Sequence, residues 1–417
     1  MQFQKPKGTR DFYPEEKTAR EELFNRFRTL AKNYGYGEIE SPAFEYLDFL
    51  TEKSGESIKN EIFVFEKRST EQFGLRFDLT VPAARLFVQK QKELQKPVKW
   101  FYIDKMWRYE NPQKGRLREF YQMGVELFGS SQPESDAETI ALAVNFLLSL
   151  GLKKNQFIVK LNNRKLLEGI LESLDIKKIP ETIRLIDKRK KMEEKEFESA
   201  LKALKLSPGQ IKKVKDVLKS SPSQLKKLKL NEKAKNGLNE LISLTSVLKT
   251  LAIDQYVQFD LSTARGLEYY TACVFECFDT KETLRSIFAG GRYDNLVQNF
   301  GGEPTPAVGF AIGDATLQLL LEENSLWNIP KKTLNYYIVT IGEKARPVAI
   351  KLCQQLRERY RVDLDLTGRN IKQQVNYADK AGAEKVIFIG ENEIASGKAT
   401  VKDLRTRNEM KVAFDKL

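Results

Sequence analysis

The stretch Trp107-Arg108-Tyr109-Glu110-Asn111-Pro112-Gln113-Lys114-Gly115-Arg116-Leu117-Arg118-Glu119-Phe120-Tyr121-Gln122-Met123-Gly124-Val125-Glu126-Leu127-Phe128-Gly129 decides the fold. Val98 to Ile103 leads into it as a strand, and Phe120 to Phe128 alternates apolar and polar residues with period two. Between them, Asn111-Pro112-Gln113-Lys114-Gly115 is turn chemistry. The pattern predicts a long hairpin with a basic tip. Arg108, Glu110, Gln122 and Glu126 fall at even spacings on their strands, so each pair can share a face. Arg108 offers a rigid fork suited to phosphate. Gln122 and Glu126 suit a small ligand bearing amines or ring nitrogens. A salt-bridged sheet with a solvated face fits the same residues.

Upstream of the hairpin, Lys7 to Glu16 is an irregular lead with a helix start near Pro14. Apolar residues at helical spacing then run from Glu15 to Tyr34, followed by a glycine turn and a strand ending at Pro42. Ile62 to Phe65 reads as a strand. From Leu75 to Arg85, Arg76, Asp78 and Thr80 alternate with Leu75, Phe77 and Leu79, which predicts an amphipathic edge strand.

Downstream, Asp136 to Leu150 predicts a helix and Phe157 to Asn162 a strand. Lysine dominates from about 165 to 250, no strand pattern appears, and Ser207-Pro208-Gly209 and Ser220-Ser221-Pro222-Ser223 interrupt the run. This predicts an all-helical module, whose basic faces could meet an RNA backbone or simply be solvated. Strand pattern resumes at Tyr256. It leads into Arg265-Gly266-Leu267-Glu268-Tyr269-Tyr270-Thr271-Ala272, then Ala289-Gly290-Gly291-Arg292-Tyr293-Asp294. Arg265-Gly266 is a bend able to aim a guanidinium at phosphate. Tyr269 and Tyr270 offer walls and hydroxyls to a ring, although an aromatic strand serves equally as core. Val308 to Leu321 reads as strand, turn and helix. The residues after Pro330 alternate strand and helix, a compact α/β domain with a mostly parallel sheet.

Length and composition set bounds. The 417 residues suffice for two or three domains. No apolar run reaches the roughly eighteen residues of a membrane span, and no apolar core follows the first charges, so a cytoplasmic protein is expected. The three cysteines, Cys273, Cys277 and Cys353, make neither a disulfide framework nor a zinc site. The net charge of +13 suits a polyanionic partner, tRNA among the candidates. The chain contains 0 histidines, which excludes a histidine general base, a His-ligated zinc and a Ser-His-Asp triad.

These runs, in this order, resemble the class II aminoacyl-tRNA synthetases in their histidyl form. Helix, glycine turn, strand and Pro42 resemble the first class II motif; Arg108 to Glu126 resembles the second, with Asn111 where arginine is usual. Arg265 to Ala272 is similar to the histidine-specific signature, with Glu268 for aspartate and Ala272 for glycine. Gly313-Asp314-Ala315-Thr316 departs from the third motif's Gly-x-Glu-Arg and lacks the arginine that lies over ATP. Gly368 to Gln374 and Gly390 to Glu393 match the anticodon-binding domain.

The resemblance implies an α+β fold: a class II catalytic domain with an antiparallel sheet and helices (1–164 and 251–328), a helical insertion (165–250) and an anticodon-binding α/β domain (333–417). It implies ATP-dependent attachment of histidine to its tRNA through histidyl-adenylate, with ATP and Mg2+, in a homodimer. Arg108 and Arg265 are the implied catalytic pair on the α-phosphate. Arg108, Glu110, Arg116, Arg265 and Arg292 would bind ATP. Asp78, Leu79, Thr80, Arg108, Gln122 and Glu126, with Arg265, Tyr269, Tyr270 and Tyr293, would bind histidine. Gln113, Lys114, Arg118 and Arg369 would meet tRNA. No protein-held metal site is expected. The altered third motif leaves open a non-catalytic relative, a regulatory subunit or a sensor.

Overall fold

The structure is a computed structural model and describes residues 4–52, 60–66, 70–264, 269–329 and 334–417. The chain divides into two units: Met1–Asp11 with Arg20–Asn328, and Phe12–Ala19 with Ile329–Leu417.

The first unit holds ten strands among its described residues. They are β1 (Gly37–Glu38), β2 (Phe44–Tyr46), β3 (Phe73–Leu75), β4 (Val98–Trp107), β5 (Glu119–Phe128), β6 (Phe157–Asn163), β7 (Val257–Phe259), β8 (Cys273–Asp279), β9 (Phe288–Arg292) and β10 (Ala307–Gly313). Eight of them form one sheet in the order β1-β4-β5-β10-β9-β8-β6-β7. The central pairings are antiparallel; β1 with β4 and β6 with β7 are parallel. The predicted hairpin is therefore β4 and β5, whose register runs from Val98 opposite Phe128 to Trp107 opposite Glu119.

Alternation along β5 sorts its side chains onto two faces. Met123, Val125 and Leu127 join a core with Phe27, Ala141 and Phe146 from the helices Pro14–Asn33 and Pro133–Ser149. Phe128 and its β4 neighbours Tyr102 and Met106 join a second cluster with Leu79, Ala83 and Phe87. Gln122 and Glu126 fall between Phe120 and Phe128 on that second face. One face is thus backed by helices, and the other carries the polar groups of interest.

The segment Leu75 to Arg85 differs from its expectation. Strand ends at Leu75, and a helix runs from Thr80 to Lys90. Pro82 sits in the first turn of that helix, where its missing N–H costs nothing. The period-two alternation of Arg76, Asp78 and Thr80 spans a bend rather than a strand. Ile62 to Phe65 contributes only an isolated bridge from Val64 to Gly74.

The lysine-rich stretch is helical: Arg164–Ser173, Ile179–Lys188, Glu194–Ala203, Pro208–Leu218, Pro222–Leu225 and Glu232–Thr250. The two serine-proline interruptions are helix starts. Ser207 and Ser221 each cap a helix whose first residue is proline, and Gln210 and Gln224 close the reciprocal bond. Leu171, Ile186, Phe197 and Leu201 give this stretch apolar packing of its own.

In the second unit, β11 (Leu334–Thr340), β12 (Val362–Leu364), β13 (Ala383–Ile389), β14 (Lys398–Asp403) and β15 (Glu409–Ala413) order as β12-β11-β13-β14-β15. The first three strands are parallel, and β14 and β15 are added antiparallel. Helices Ala345–Leu356 and Ile371–Lys380 make the parallel crossovers.

Candidate active site

The polar face of β5 meets the start of the helix Thr80–Lys90. Thr80 donates to Glu126 Oε1 at 2.7 Å, across 46 residues of sequence. Glu126 is 1% exposed, and its other oxygen, Oε2, has no hydrogen-bond partner. Burial pushes the Glu126 carboxyl well up; the Thr80 bond opposes this and the nearby Asp78 adds to it. The Asp78 carboxyl is likewise pushed up by burial, to about 6, against the pull of Arg108.

Four buried polar atoms on this face make no hydrogen bond: Gln122 Oε1, Glu126 Oε2 and the hydroxyls of Tyr102 and Tyr293. Leu79, Tyr102, Tyr270 and Tyr293 belong to one cluster, with Tyr269 and Phe120 packed against it. The Tyr269 ring lies 4.5 Å from that of Tyr270 and 5.8 Å, edge-on, from that of Tyr293. The structure therefore gathers Asp78, Leu79, Thr80, Gln122, Glu126, Tyr269, Tyr270 and Tyr293 from four separate segments. Buried polar atoms are ordinarily satisfied, so a cluster of orphans inside an aromatic wall has the chemistry of a site for a polar ring.

Arg108 lies just beyond β4. Its Nε donates to the Phe77 carbonyl at 3.1 Å, and its guanidinium stands 5.3 Å over the Phe120 ring. Both contacts hold the fork at the edge of the site, beside Asp78. The hairpin tip is tied internally. Arg116 pairs with Glu110 and stands 3.8 Å from Glu61. Arg118 donates to the Glu110 carbonyl at 2.9 Å and lies over the Tyr109 ring. Gln113 accepts from Arg285 at 2.7 Å, and Lys114 reaches Glu323 at 3.3 Å. In the second unit, Arg369 pairs with Asp365 at 2.9 Å and stacks over Tyr377. Arg265 lies outside the described residues.

Arg292 departs from the expectation that it binds ATP. It is 4% exposed, and all five N–H donors are engaged. Nε reaches Asp136; Nη1 reaches the Ser130 carbonyl and Asp294; Nη2 reaches Ser135 and Asp136. Asp136 needs this cation, since burial pushes its carboxyl up to about 6 even with Arg292 alongside. Replacing Arg292 with methionine is expected to destabilise the protein by about 3–5 kcal/mol at neutral pH, the cost of a stranded buried carboxylate. Below pH ~5 the loss should shrink, because a protonated Asp136 no longer needs the charge. Urea unfolding at the two pH values checks this.

The altered third motif has structural work. Asp314 is buried, accepts from Arg10 Nη2 on both carboxylate oxygens at 2.7 and 2.9 Å, and also accepts the Tyr121 N–H at 2.9 Å. Thr316, where the arginine is missing, donates to the Gly115 carbonyl at 3.2 Å. Gly115 has φ +75°, and a Cβ there would stand 3.3 Å from the Thr316 hydroxyl, so glycine suits the contact. Both residues therefore fasten the hairpin to the helix Asp314–Glu323. Sequence reasoning missed Tyr102 and Arg10. Tyr102 was within reach, since counting back by twos from Arg108 puts Met106, Asp104 and Tyr102 on the same face.

Comparison with known proteins agrees over the full length. The family model for histidyl-tRNA synthetase matches residues 8–317, and the anticodon binding domain model matches residues 335–417. The chain is 40% identical to the histidine–tRNA ligase of Haloarcula marismortui over 97% of this chain and 94% of that one. It is 38% identical to that of Pyrococcus furiosus over 99% and 97%. The crystal structure of histidyl-tRNA synthetase from Nostoc sp. PCC 7120 superposes with a TM-score of 0.82 at 29% identity, covering 100% of this chain and 98% of that one. With the site-bearing unit and the C-terminal unit both matched in order, the chain belongs to the histidyl-tRNA synthetase family.

Proposed function

We propose that this protein charges histidine tRNA, using ATP, through a histidyl-adenylate. The observation that carries the reading is the set of four orphaned polar atoms walled by tyrosines on the face of β4 and β5. An imidazole with an ammonium and a carboxylate fits that set; an apolar side chain would leave it unpaired. Full-length relatives named as ligases support the enzyme over the regulatory reading.

In the first step a carboxylate oxygen of histidine attacks the α-phosphorus of ATP, and the bond to the pyrophosphate oxygen breaks. The step joins two anions, so positioning and positive charge dominate. Arg108 takes the α-phosphate from one side and Arg265 from the other. No general base is needed, because the carboxylate is ionised at neutral pH. Asp78, Thr80 and Gln122 hold the ammonium; Glu126 and Tyr270 read the imidazole; Leu79, Tyr269 and Tyr293 shape the wall. Glu110 receives the adenine amine once Arg116 turns from it toward the phosphates. In the second step the terminal ribose hydroxyl of tRNA takes the acyl group and releases AMP. Gln113, Lys114 and Arg118 guide the acceptor end, and Arg369 lies on the anticodon side.

Among the described residues no three acidic or cysteine side chains gather in a way that could hold a metal, and Mg2+ is assigned to the ATP phosphates, whose charge it would neutralise. No described helix is long and apolar enough to cross a membrane. A cytoplasmic homodimer completes the proposal. ATP–pyrophosphate exchange run across the amino acids tests it: exchange with histidine alone is expected, and none at saturating ATP would sink it.

A further inference from the structure

The hairpin tip is met by a cation that the two reaction steps leave without a task. Strand register fixes what stands at that end of the sheet. Gly313 lies opposite Gln122, Ile312 opposite Phe288, and Phe288 opposite Cys277. The loop 280–287 between β8 and β9 therefore leaves the sheet at the same end as the hairpin tip and the helix Asp314–Glu323. Arg285 comes from that loop. It is half-buried, and its Nη2 donates to Gln113 Oε1 at 2.7 Å, across 172 residues of sequence.

Gln113 brings Arg285 beside Arg116. Gln113 and Arg116 form an isolated antiparallel bridge at the tip. The Gln113 N–H donates to the Arg116 carbonyl at 3.0 Å, and the Arg116 N–H returns the bond at 2.9 Å. Residues paired in this way send their side chains to one side of the ribbon. A guanidinium held by the Gln113 side chain is thus a neighbour of the Arg116 side chain. The electrostatics agree: the Arg116 guanidinium is pushed down by burial, then by the charge of Arg285, with Glu61 opposing and Arg108 adding to it.

The two cations are balanced unequally. Arg116 has carboxylate partners in Glu110 and Glu61. Arg285 has a neutral amide oxygen, and among the described residues it makes no ion pair with a carboxylate. An amide acceptor aims a guanidinium but leaves its charge in place. Like charges brought together are relieved by an anion between them, and guanidinium forks suit phosphate oxygens best. The other side of the tip is closed. The Thr316 hydroxyl reaches the Gly115 carbonyl, and Leu319 Cδ1 lies 3.4 Å from where a Gly115 Cβ would stand. The helix Asp314–Glu323 therefore meets the tip with a hydroxyl and a leucine, and the added cation comes from the β8–β9 loop.

We propose that Arg285 is a further ATP-binding residue: Arg285 and Arg116 clamp the terminal phosphates of ATP while Arg108 meets the α-phosphate. The inference rests on the adenylate-forming reading made above. The clamp lies on the leaving group. When the bond from the α-phosphorus to the bridging oxygen breaks, its electron pair departs with pyrophosphate, and the two guanidiniums receive that charge. AMP lacks the clamped phosphates and gains nothing from Arg285. The adenine end stays with Glu110, so the clamp distinguishes nucleotides by the length of their phosphate tail.

The test is calorimetric binding of Mg2+-ATP and of AMP to the full chain, wild type and Arg285→Gln, with ATP–pyrophosphate exchange alongside. Arg285→Gln should weaken ATP binding roughly tenfold to a hundredfold, the usual effect of losing hydrogen bonds to a charged group. AMP and histidine should bind as in wild type. Arg285→Lys should recover only part of the loss, because a point charge cannot grip as a fork does. Thr316→Arg moves a guanidinium to the opposite side of the tip; in that background Arg285→Gln should cost less. If Thr316→Arg does not fold, the ATP and AMP pair still decides. Unchanged ATP affinity, or equal weakening of ATP and AMP, would reduce Arg285 to a brace for Gln113 and overturn the inference. So would normal exchange with a loss confined to tRNA charging. A wild-type protein that shows no exchange with histidine, and binds ATP no better than AMP, would instead overturn the function reading.

Discussion

Arg108→Gln is expected to lower histidine-dependent ATP–pyrophosphate exchange by roughly 10²- to 10³-fold, the usual effect of removing one charged stabiliser of a developing anion. The structure gives the reason for so large an effect at one residue. The guanidinium is fixed by the Phe77 carbonyl at its Nε and by the Phe120 ring beneath it. A fork held on two sides reaches its target without reorganising, which is what electrostatic catalysis requires. Most of the loss should fall on kcat, because the charge that Arg108 meets grows as the α-phosphorus is attacked. Arg108→Lys should recover only part of it, since an ammonium cannot reproduce the fork or its stacking. A second effect should accompany the first. Arg108 pulls the Asp78 carboxyl down against burial, so losing it should weaken histidine binding below about pH 7 more than above. Exchange measured with both substrates varied separates the two. If kcat with saturating substrates stays within about twofold of wild type, Arg108 does not serve the reacting phosphate.

Much of this site was legible in the residues because strands report their faces by counting. Gln122 and Glu126 are two apart twice over, and the structure puts both on the face that also receives Asp78 and Thr80. The C-terminal α/β unit and the helical stretch were legible for similar reasons, from the change of period and the loss of strand pattern. Local pattern failed where a long-range partner decides the outcome. Arg292 sits in a glycine-rich run suited to a ligand, yet Asp136, distant in sequence, claims it from the helix-backed side. Asp314 and Thr316 looked like damage to a motif, but Arg10, Tyr121 and Gly115 give them fastening roles. Leu75 to Arg85 alternated like a strand because three polar residues happened to flank a bend. Glu110 and Arg116, both expected at ATP, pair with each other at the hairpin tip.

Glu126→Gln should separate stability from activity more sharply than any other substitution in the site. The carboxylate is 1% exposed, takes the Thr80 proton on Oε1, and leaves Oε2 unpartnered over Gly309. Glutamine has the same shape and can still accept from Thr80, but it then presents an N–H where the imidazole N–H must bind. Two donors face each other, and kcat/KM for histidine should fall by roughly 10³-fold or more, within the range seen when a site built to pair a polar group loses its partner. Stability should move the other way. Burial and Asp78 raise the Glu126 carboxyl above its ordinary value of 4.5, so the folded state holds its proton more tightly than the unfolded chain does. Stability contributed by that group is therefore lost as pH rises through the interval between the two values. An amide carries no such cost. Tm of Glu126→Gln should exceed wild type at pH ~8, and the gap should close near pH ~4, where the carboxyl is neutral in both states. A variant as active as wild type would remove Glu126 from imidazole recognition. One that is inactive and also less stable at every pH would mean that the carboxylate is held for the fold, and that the orphaned Oε2 has a partner other than histidine.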